Sequence, residues 1–203
     1  AQMPSVKDAI GDFVTDAYVQ KALYDQLKQS VRFNATATVE DLLAITNPSD
    51  RLEDQNLLAR AAAVGNYLMV DLLIAAGFDI NLHSATGFTA FHYLVEDSDG
   101  AEHQPMLNHL ISRGANLTAI DGTGKPILYT AAANANKKLL PYLLTEVQKQ
   151  GGSIDSNAAE GLSALSATLH NGNALMITFL IDVLGADPRR TYLIFYIFQF
   201  CRF

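Results

Sequence analysis

The strongest constraint on this chain is a recurrence. Gly77-Phe78-Asp79-Ile80-Asn81 is echoed by Gly114-Ala115-Asn116-Leu117-Thr118, by Gly151-Gly152-Ser153-Ile154-Asp155 and by Gly185-Ala186-Asp187-Pro188, at spacings of 37, 37 and 34 residues. A second glycine marker follows each of the first three by ten residues: Gly87, Gly124 and Gly161. Each second marker leads into a stretch of small residues, then a leucine-rich stretch, and then the first marker returns. A period of this length marks a stacked-repeat architecture. One unit is too small to bury its own apolar face, so neighbouring units must supply the rest of the core.

The detail within the period is more specific. Gly87-Phe88-Thr89-Ala90-Phe91-His92 opens one unit, and Ala61-Ala62-Ala63-Val64-Gly65-Asn66 marks the middle of an earlier one. Paired aliphatics recur as Met69-Val70 with Leu73-Ile74, Met106-Leu107 with Leu110-Ile111, Leu139-Leu140 with Leu143-Leu144, and Met176-Ile177 with Leu180-Ile181. Together these residues resemble the ankyrin repeat over residues 52–188. The resemblance implies an all-α fold, an ankyrin-repeat solenoid of stacked helix pairs with short β-turn fingers. The repeats fall near 51–81, 82–118, 119–155 and 156–188 within a domain spanning 51–190.

The departures from the 33-residue unit are informative. The repeat over 82–118 has four surplus residues in Asp97 to Glu102, between its two helices, and that over 119–155 has four in Thr145 to Gln150. Four residues are about one helical turn, so a lengthened outer helix keeps its apolar face in phase. The last repeat has one surplus residue near Val183-Leu184. Upstream, the apolar spacing predicts a helix over 5–31 with Ser5 as its cap. A second helix is expected over 38–46, capped by Thr38 and stopped by Asn47-Pro48-Ser49-Asp50. Residues 1–50 are therefore expected to form a helical N-terminal cap, with Val39 to Leu43 resembling a worn outer helix. Residues 191–203 form an aromatic tail outside the repeat pattern. It can pack over the last repeat, be foreign to the domain, or dock on a membrane or a partner.

Composition narrows the function classes. Charged residues make up 17% and apolar residues 49%, which excludes a self-repelling disordered chain. The net charge of −7 opposes nucleic-acid binding by phosphate neutralisation. That charge is uneven: the first hundred residues hold −8 and the remainder +1. One cysteine, Cys201, excludes an internal disulfide and a cysteine-based zinc site. With no apolar leader near the start, a cytoplasmic location is expected, delivery into a host cell being a variant of it.

Chemical motifs fail on inspection. Gly122-Thr123-Gly124-Lys125-Pro126 lacks the first glycine and the final hydroxyl of a phosphate loop. Asp97-Ser98-Asp99-Gly100 lacks the first and last carboxylates of a calcium loop. Gly161-Leu162-Ser163-Ala164-Leu165 lacks the second glycine of a nucleophile elbow. His103 and His109 are six residues apart and do not share a helix face. His92 stands where the resemblance implies a hydrogen bond within and between fingers, while Tyr129 and Ser166 replace it in later repeats. No catalytic residue, metal site or cofactor is expected.

The remaining function is a surface. The resemblance implies a concave binding face made of fingers and inner helices. On this sequence it comprises Phe88, Tyr93, Glu96, Asp97, Ile120, Asp121, Thr130, Asn134, Asn157, Glu160 and His170, with Arg60 and Val64 on the first inner helix. Phe88, Tyr93 and Ile120 are the expected hot spots, because aromatic and apolar anchors ringed by polar groups dominate binding energy. The expected partner is a protein, with a basic segment drawn to Asp97, Asp99 and Glu102. The alternative is a regulatory or targeting ankyrin segment of a larger enzyme or of a host-directed bacterial effector.

Overall fold

The structure is a computed structural model that describes residues 17–46, 56–84, 87–96, 103–156 and 163–190. Ten α-helices are present among these residues, and they alternate between two layers. The inner layer comprises α1 (Ala17–Arg32), α3 (Asn56–Ala63), α5 (Ala90–Glu96), α7 (Ile127–Ala133) and α9 (Ala164–His170). The outer layer comprises α2 (Thr36–Ile45), α4 (Tyr67–Ala75), α6 (Gln104–Ser112), α8 (Leu139–Lys149) and α10 (Ala174–Thr178). Each inner helix packs on the next, and each outer helix packs on the inner helix before it.

Side-chain size explains the layering. At one inner-helix position Leu27, Leu58, Phe91, Leu128 and Leu165 are all buried, and three and four positions on stand Ser30-Val31, Ala61-Ala62, Leu94-Val95 and Ala131-Ala132. This spacing of three and four puts the buried residues on one stripe. The small residues admit the next helix closely. Behind them the outer helices bury Met69, Val70, Leu73, Leu107, Leu110, Leu139, Leu140, Leu143 and Met176 at 3% exposure or less.

The pair α1–α2 obeys the same rules. α1 packs on α3, as each later inner helix packs on the next, and α2 packs on α4. Between α1 and α2, Asn34 adopts φ +59, with Asn34 N–H donating to Val31 O and Ala35 N–H to Ser30 O. Gly65 (φ +77), Ala135 (φ +54) and Gly172 (φ +64) hold the same place with the same pair of bonds. This is the left-handed helix end that asparagine tolerates. It corrects the expected start at Thr38. The left-handed turn at Asn34 lets α2 begin at Thr36, with Ala35 as its cap residue and no side-chain cap bond. In later units an asparagine does cap: Asn66, Asn136 and Asn173 accept from the amides of Met69, Leu139 and Met176. The expected cap at Ser5, the stop at 47–50 and the tail at 191–203 lie outside the described residues.

Both insertions that fall on described residues are absorbed by helix geometry. The capping asparagine precedes the closing glycine by 11 residues in Asn66–Gly77 and by 15 in Asn136–Gly151. The extra turn keeps Val147 buried below Leu143 and Leu144. The single surplus residue of the last repeat appears as a π-helical turn, Phe179–Val183, in which Leu184 N–H reaches back to Phe179 O at 3.2 Å. A π turn is how a helix takes one extra residue without losing its face.

Hydrogen bonds then tie unit to unit. Asn81 accepts from Asn116 N–H at 2.7 Å and donates to Gly114 O at 3.1 Å. Asp155 accepts from Asp187 N–H at 2.9 Å. Thr118 holds the equivalent place between them, and Gln150 spans the joint from the far side. It accepts from Leu117 N–H at 2.8 Å and donates to Ala115 O at 3.0 Å. The residue that caps the end of the lengthened α8 thus replaces the missing link.

Candidate functional site

Two fingers are closed by the same pair of backbone hydrogen bonds. In the first, Ser84 N–H donates to Phe88 O (2.9 Å) and Gly87 N–H to Ser84 O (2.8 Å). In the second, 37 residues on, Asp121 N–H donates to Lys125 O (2.8 Å) and Gly124 N–H to Asp121 O (2.9 Å). Gly87 (φ +86) and Gly124 (φ +83) supply the left-handed residue. The fingers touch through their backbones: Gly122 N–H donates to Gly87 O, and a Cβ on Gly122 would lie 2.5 Å from Gly87 Cα. The His83 imidazole adds a second bridge, with Nε2 2.8 Å from Ile120 O.

Aromatic groups gather on the first finger. Phe88 meets Tyr93 edge-on, ring centroids 5.3 Å apart, and lies 6.2 Å from the His92 ring. Both Phe88 and Tyr93 are half-buried, and Tyr93 Oη lies 3.4 Å from Ser84 Oγ. Ile120, on the second finger, is 42% exposed. The structure therefore places the three expected hot spots on two adjoining fingers and the inner helix between them.

The other expected contact residues divide. Glu96, Asn134 and His170 are exposed. Glu96 and His170 end α5 and α9, Asn134 directly follows α7, and Asn134 also donates to Glu96 O at 3.0 Å, a bond repeated by Asn171 to Ala133 O at 3.1 Å. Asp121 and Thr130 are buried, 3% and 8% exposed, and so are not presented to a partner. Asp121 is turned into its own finger, where Oδ1 accepts from Thr123 N–H (2.8 Å), Thr123 Oγ1–H (2.7 Å) and Lys125 N–H (2.9 Å). Thr130 is covered because the small residues around it let the inner helices close. Asp97, Asn157 and Glu160 lie outside the described residues, as do Asp99 and Glu102.

Titratable groups in the site carry structural roles. His92 Nδ1 is 2.8 Å from Thr89 Oγ1, and burial pushes the imidazole down to about 4 against the upward pull of Asp121. Burial raises Asp121, yet the amides of Lys125 and Thr123 and the Thr123 hydroxyl outweigh it and hold the carboxyl below its ordinary range. Later units fill the Thr89 and His92 places differently. Pro126 and Tyr129 stand there in one, with Lys125 Nζ 5.4 Å from the Tyr129 ring centre, and Ser163 and Ser166 form a reciprocal capping box in the next.

Comparison with known proteins matches this organisation. No family model matches the chain. It is 24% identical over 156 residues to a Fowlpox virus (strain NVSL) protein named as an ankyrin repeat protein, FPV034, covering 77% of this chain and 35% of that one. The chain carries ankyrin repeats. It is also 34% identical over 82 residues to the nuclear factor NF-kappa-B p105 subunit of Gallus gallus, covering 40% of this chain and 8% of that protein. The chain thus spans about a third of the first relative and under a tenth of the second.

The convex side of the ankyrin solenoid is locked rather than open. Asp71 holds His109 Nε2 at 2.8 Å and accepts from Arg113 Nη2 at 2.6 Å, and Tyr67 stacks edge-on against His109 at 5.1 Å. Tyr142 Oη–H donates to Asn108 at 2.7 Å, while burial and Glu146 push its phenol up to about 12. His109 is thereby committed to an inter-repeat link. Among the described residues no group of three His, Cys, Asp or Glu side chains is placed to hold a metal, and no helix is long and apolar enough to cross a membrane.

Proposed function

We propose that this ankyrin solenoid is a non-enzymatic interaction module that binds a protein partner on its concave face, as an adaptor, scaffold or inhibitor. The observation that carries the reading is the Phe88–Tyr93 edge-on pair beside exposed Ile120. It is an apolar anchor that shares its fingers and inner helices with exposed His83, Glu96 and Asn134. Such an anchor binds with little ordering cost, because its fingers are already held by hydrogen bonds and by the Gly87–Gly122 contact. The commitment of His92, Asp121 and His109 to structural bonds supports binding over catalysis.

The expected partner is a protein, and Asp97, Asp99 and Glu102 remain the groups proposed to attract a basic segment of it, in a cytoplasmic setting. The test is a quantitative pull-down with wild type and Phe88→Ala/Tyr93→Ala, both shown to melt cooperatively. Partners recovered by wild type are expected to fall at least about tenfold with the double variant. Equal recovery of the same partners by both proteins would sink the concave-face reading.

A further inference from the structure

Among the described residues at the N-terminal end of the stack, the concave face carries two arginines, of the opposite sign to the net charge of the chain. Arg32 ends α1, and Arg60 lies in the last turn of α3. Both line a groove of about 420 Å³ whose wall is completed by Ala63 and Val64. Both also line its continuation along α1, which passes Gln29, Lys28 and Asp25. Lys28 is already committed to Asp25 at 2.8 Å. Arg32 and Arg60 make no ion pair among the described residues. Val64 is 51% exposed beside them. Beyond Asp25, Glu96, at the end of α5, is the next exposed carboxylate among the described inner-helix residues.

A guanidinium is always charged and offers a planar fork of donors that matches a carboxylate. Two of them uncommitted on one groove, against an apolar wall, have the composition of a carboxylate-reading site. We propose that this groove docks an acidic segment of a protein partner. A carboxylate lies between Arg32 and Arg60, and a neighbouring apolar side chain rests on Ala63 and Val64. The proposal builds on the concave-face reading but uses none of the finger residues. It sets an acidic ligand at this end of the face, apart from the basic segment proposed for Asp97, Asp99 and Glu102. Arg60 stands at the inner-helix place that Tyr93 holds in the next repeat, so one extended ligand can meet the guanidinium groove and then the aromatic anchor.

The experiment is a titration of the ¹⁵N-labelled chain with the peptide acetyl-Glu-Glu-Leu-Leu-Glu-Glu-amide and with its Lys counterpart. The Glu peptide is expected to shift the amides of Arg32, Arg60, Ala63 and Val64, with affinity that rises at low salt. Arg32→Gln/Arg60→Gln is expected to weaken it at least about tenfold while leaving the melting transition in place. Phe88→Ala/Tyr93→Ala is expected to bind it as wild type does. Equal binding by the double glutamine variant, or equal binding of the Lys peptide, overturns the proposal. Loss of the Glu peptide in the Phe88→Ala/Tyr93→Ala variant instead moves the acidic ligand to the fingers. That overturns the groove and leaves the wider reading standing. Binding that emerges only in Asp97→Asn/Asp99→Asn/Glu102→Gln assigns the groove to this chain's own acidic segment, and likewise overturns it.

Discussion

The two fingers have one pattern of backbone hydrogen bonds and two chemistries. The first is braced by Ser84, whose hydroxyl accepts from Phe88 N–H at 3.3 Å, and it displays Phe88, Tyr93 and the buried His92 behind them. The second is braced by the Asp121 carboxylate through three bonds, and it displays Ile120 and a lysine poised over Tyr129. What they share is an acceptor at the first turn position, a left-handed glycine immediately before Phe88 or Lys125, and contact between Gly87 and Gly122. The difference shows how a repeat separates tasks. Backbone geometry needs only an acceptor and a glycine, so the remaining positions are free to set what the surface binds.

The contact between the fingers is where the comparison breaks most easily. Gly87→Ala puts a Cβ 2.7 Å from Gly122 Cα at φ +86, and we expect a loss of about 4 kcal/mol in urea unfolding. Gly124→Ala has φ +83 but meets nothing within 4 Å, so it is expected to cost only about 1–2 kcal/mol. Equal losses at the two glycines would show that the fingers do not depend on touching.

Acid separates the fingers next. The folded pKa of His92, about 4, lies below its ordinary 6.5, so the unfolded chain binds a proton that the folded chain refuses. Its contribution is complete above pH 6.5, declines as pH falls, and is lost below pH 4, about 3 kcal/mol in all. Asp121, also held below its ordinary 3.8, loses its contribution only at lower pH still. Urea midpoints measured from pH 7 to 4 are expected to fall in wild type and to flatten in His92→Gln. A slope unchanged by that substitution would place the titration elsewhere.

Smaller effects sharpen the same contrast. Asp121→Ala removes three bonds to a buried carboxylate and is expected to cost about 2 kcal/mol, against about 1 for Ser84→Ala. Lys125→Ala removes a cation–π contact and is expected to change stability by about 0.5 kcal/mol, read as a small shift in thermal midpoint.

Much of this was legible along the chain because repetition multiplies weak signals. The glycines at 77, 114, 151 and 185 all adopt positive φ, and the aliphatic pairs of the outer helices are buried except for Ile74, Ile111, Ile177 and Ile181, which are partly buried. The surplus residue near Val183 surfaced as a π turn, since a one-residue excess in a helix has few other outlets. The first helix pair was harder to read. Its glycine is replaced by Asn34, whose left-handed conformation is an option for asparagine and not a rule. Asp121 was expected on the binding face because the resemblance puts its position on a fingertip. Three donors within four residues turned it inward instead.

By itself, the sequence determined the period, the class of fold and which faces are apolar, because those follow from side-chain size and spacing. Tertiary structure decided everything that depends on one unit meeting the next. It paired Gly87 with Gly122, gave Gln150 the joint that Thr118 leaves open, and brought Arg32 of one helix pair into the same groove as Arg60 of the next. Those residues are 28 to 35 positions apart, and no local preference couples them. Only the stacking of helices makes them neighbours.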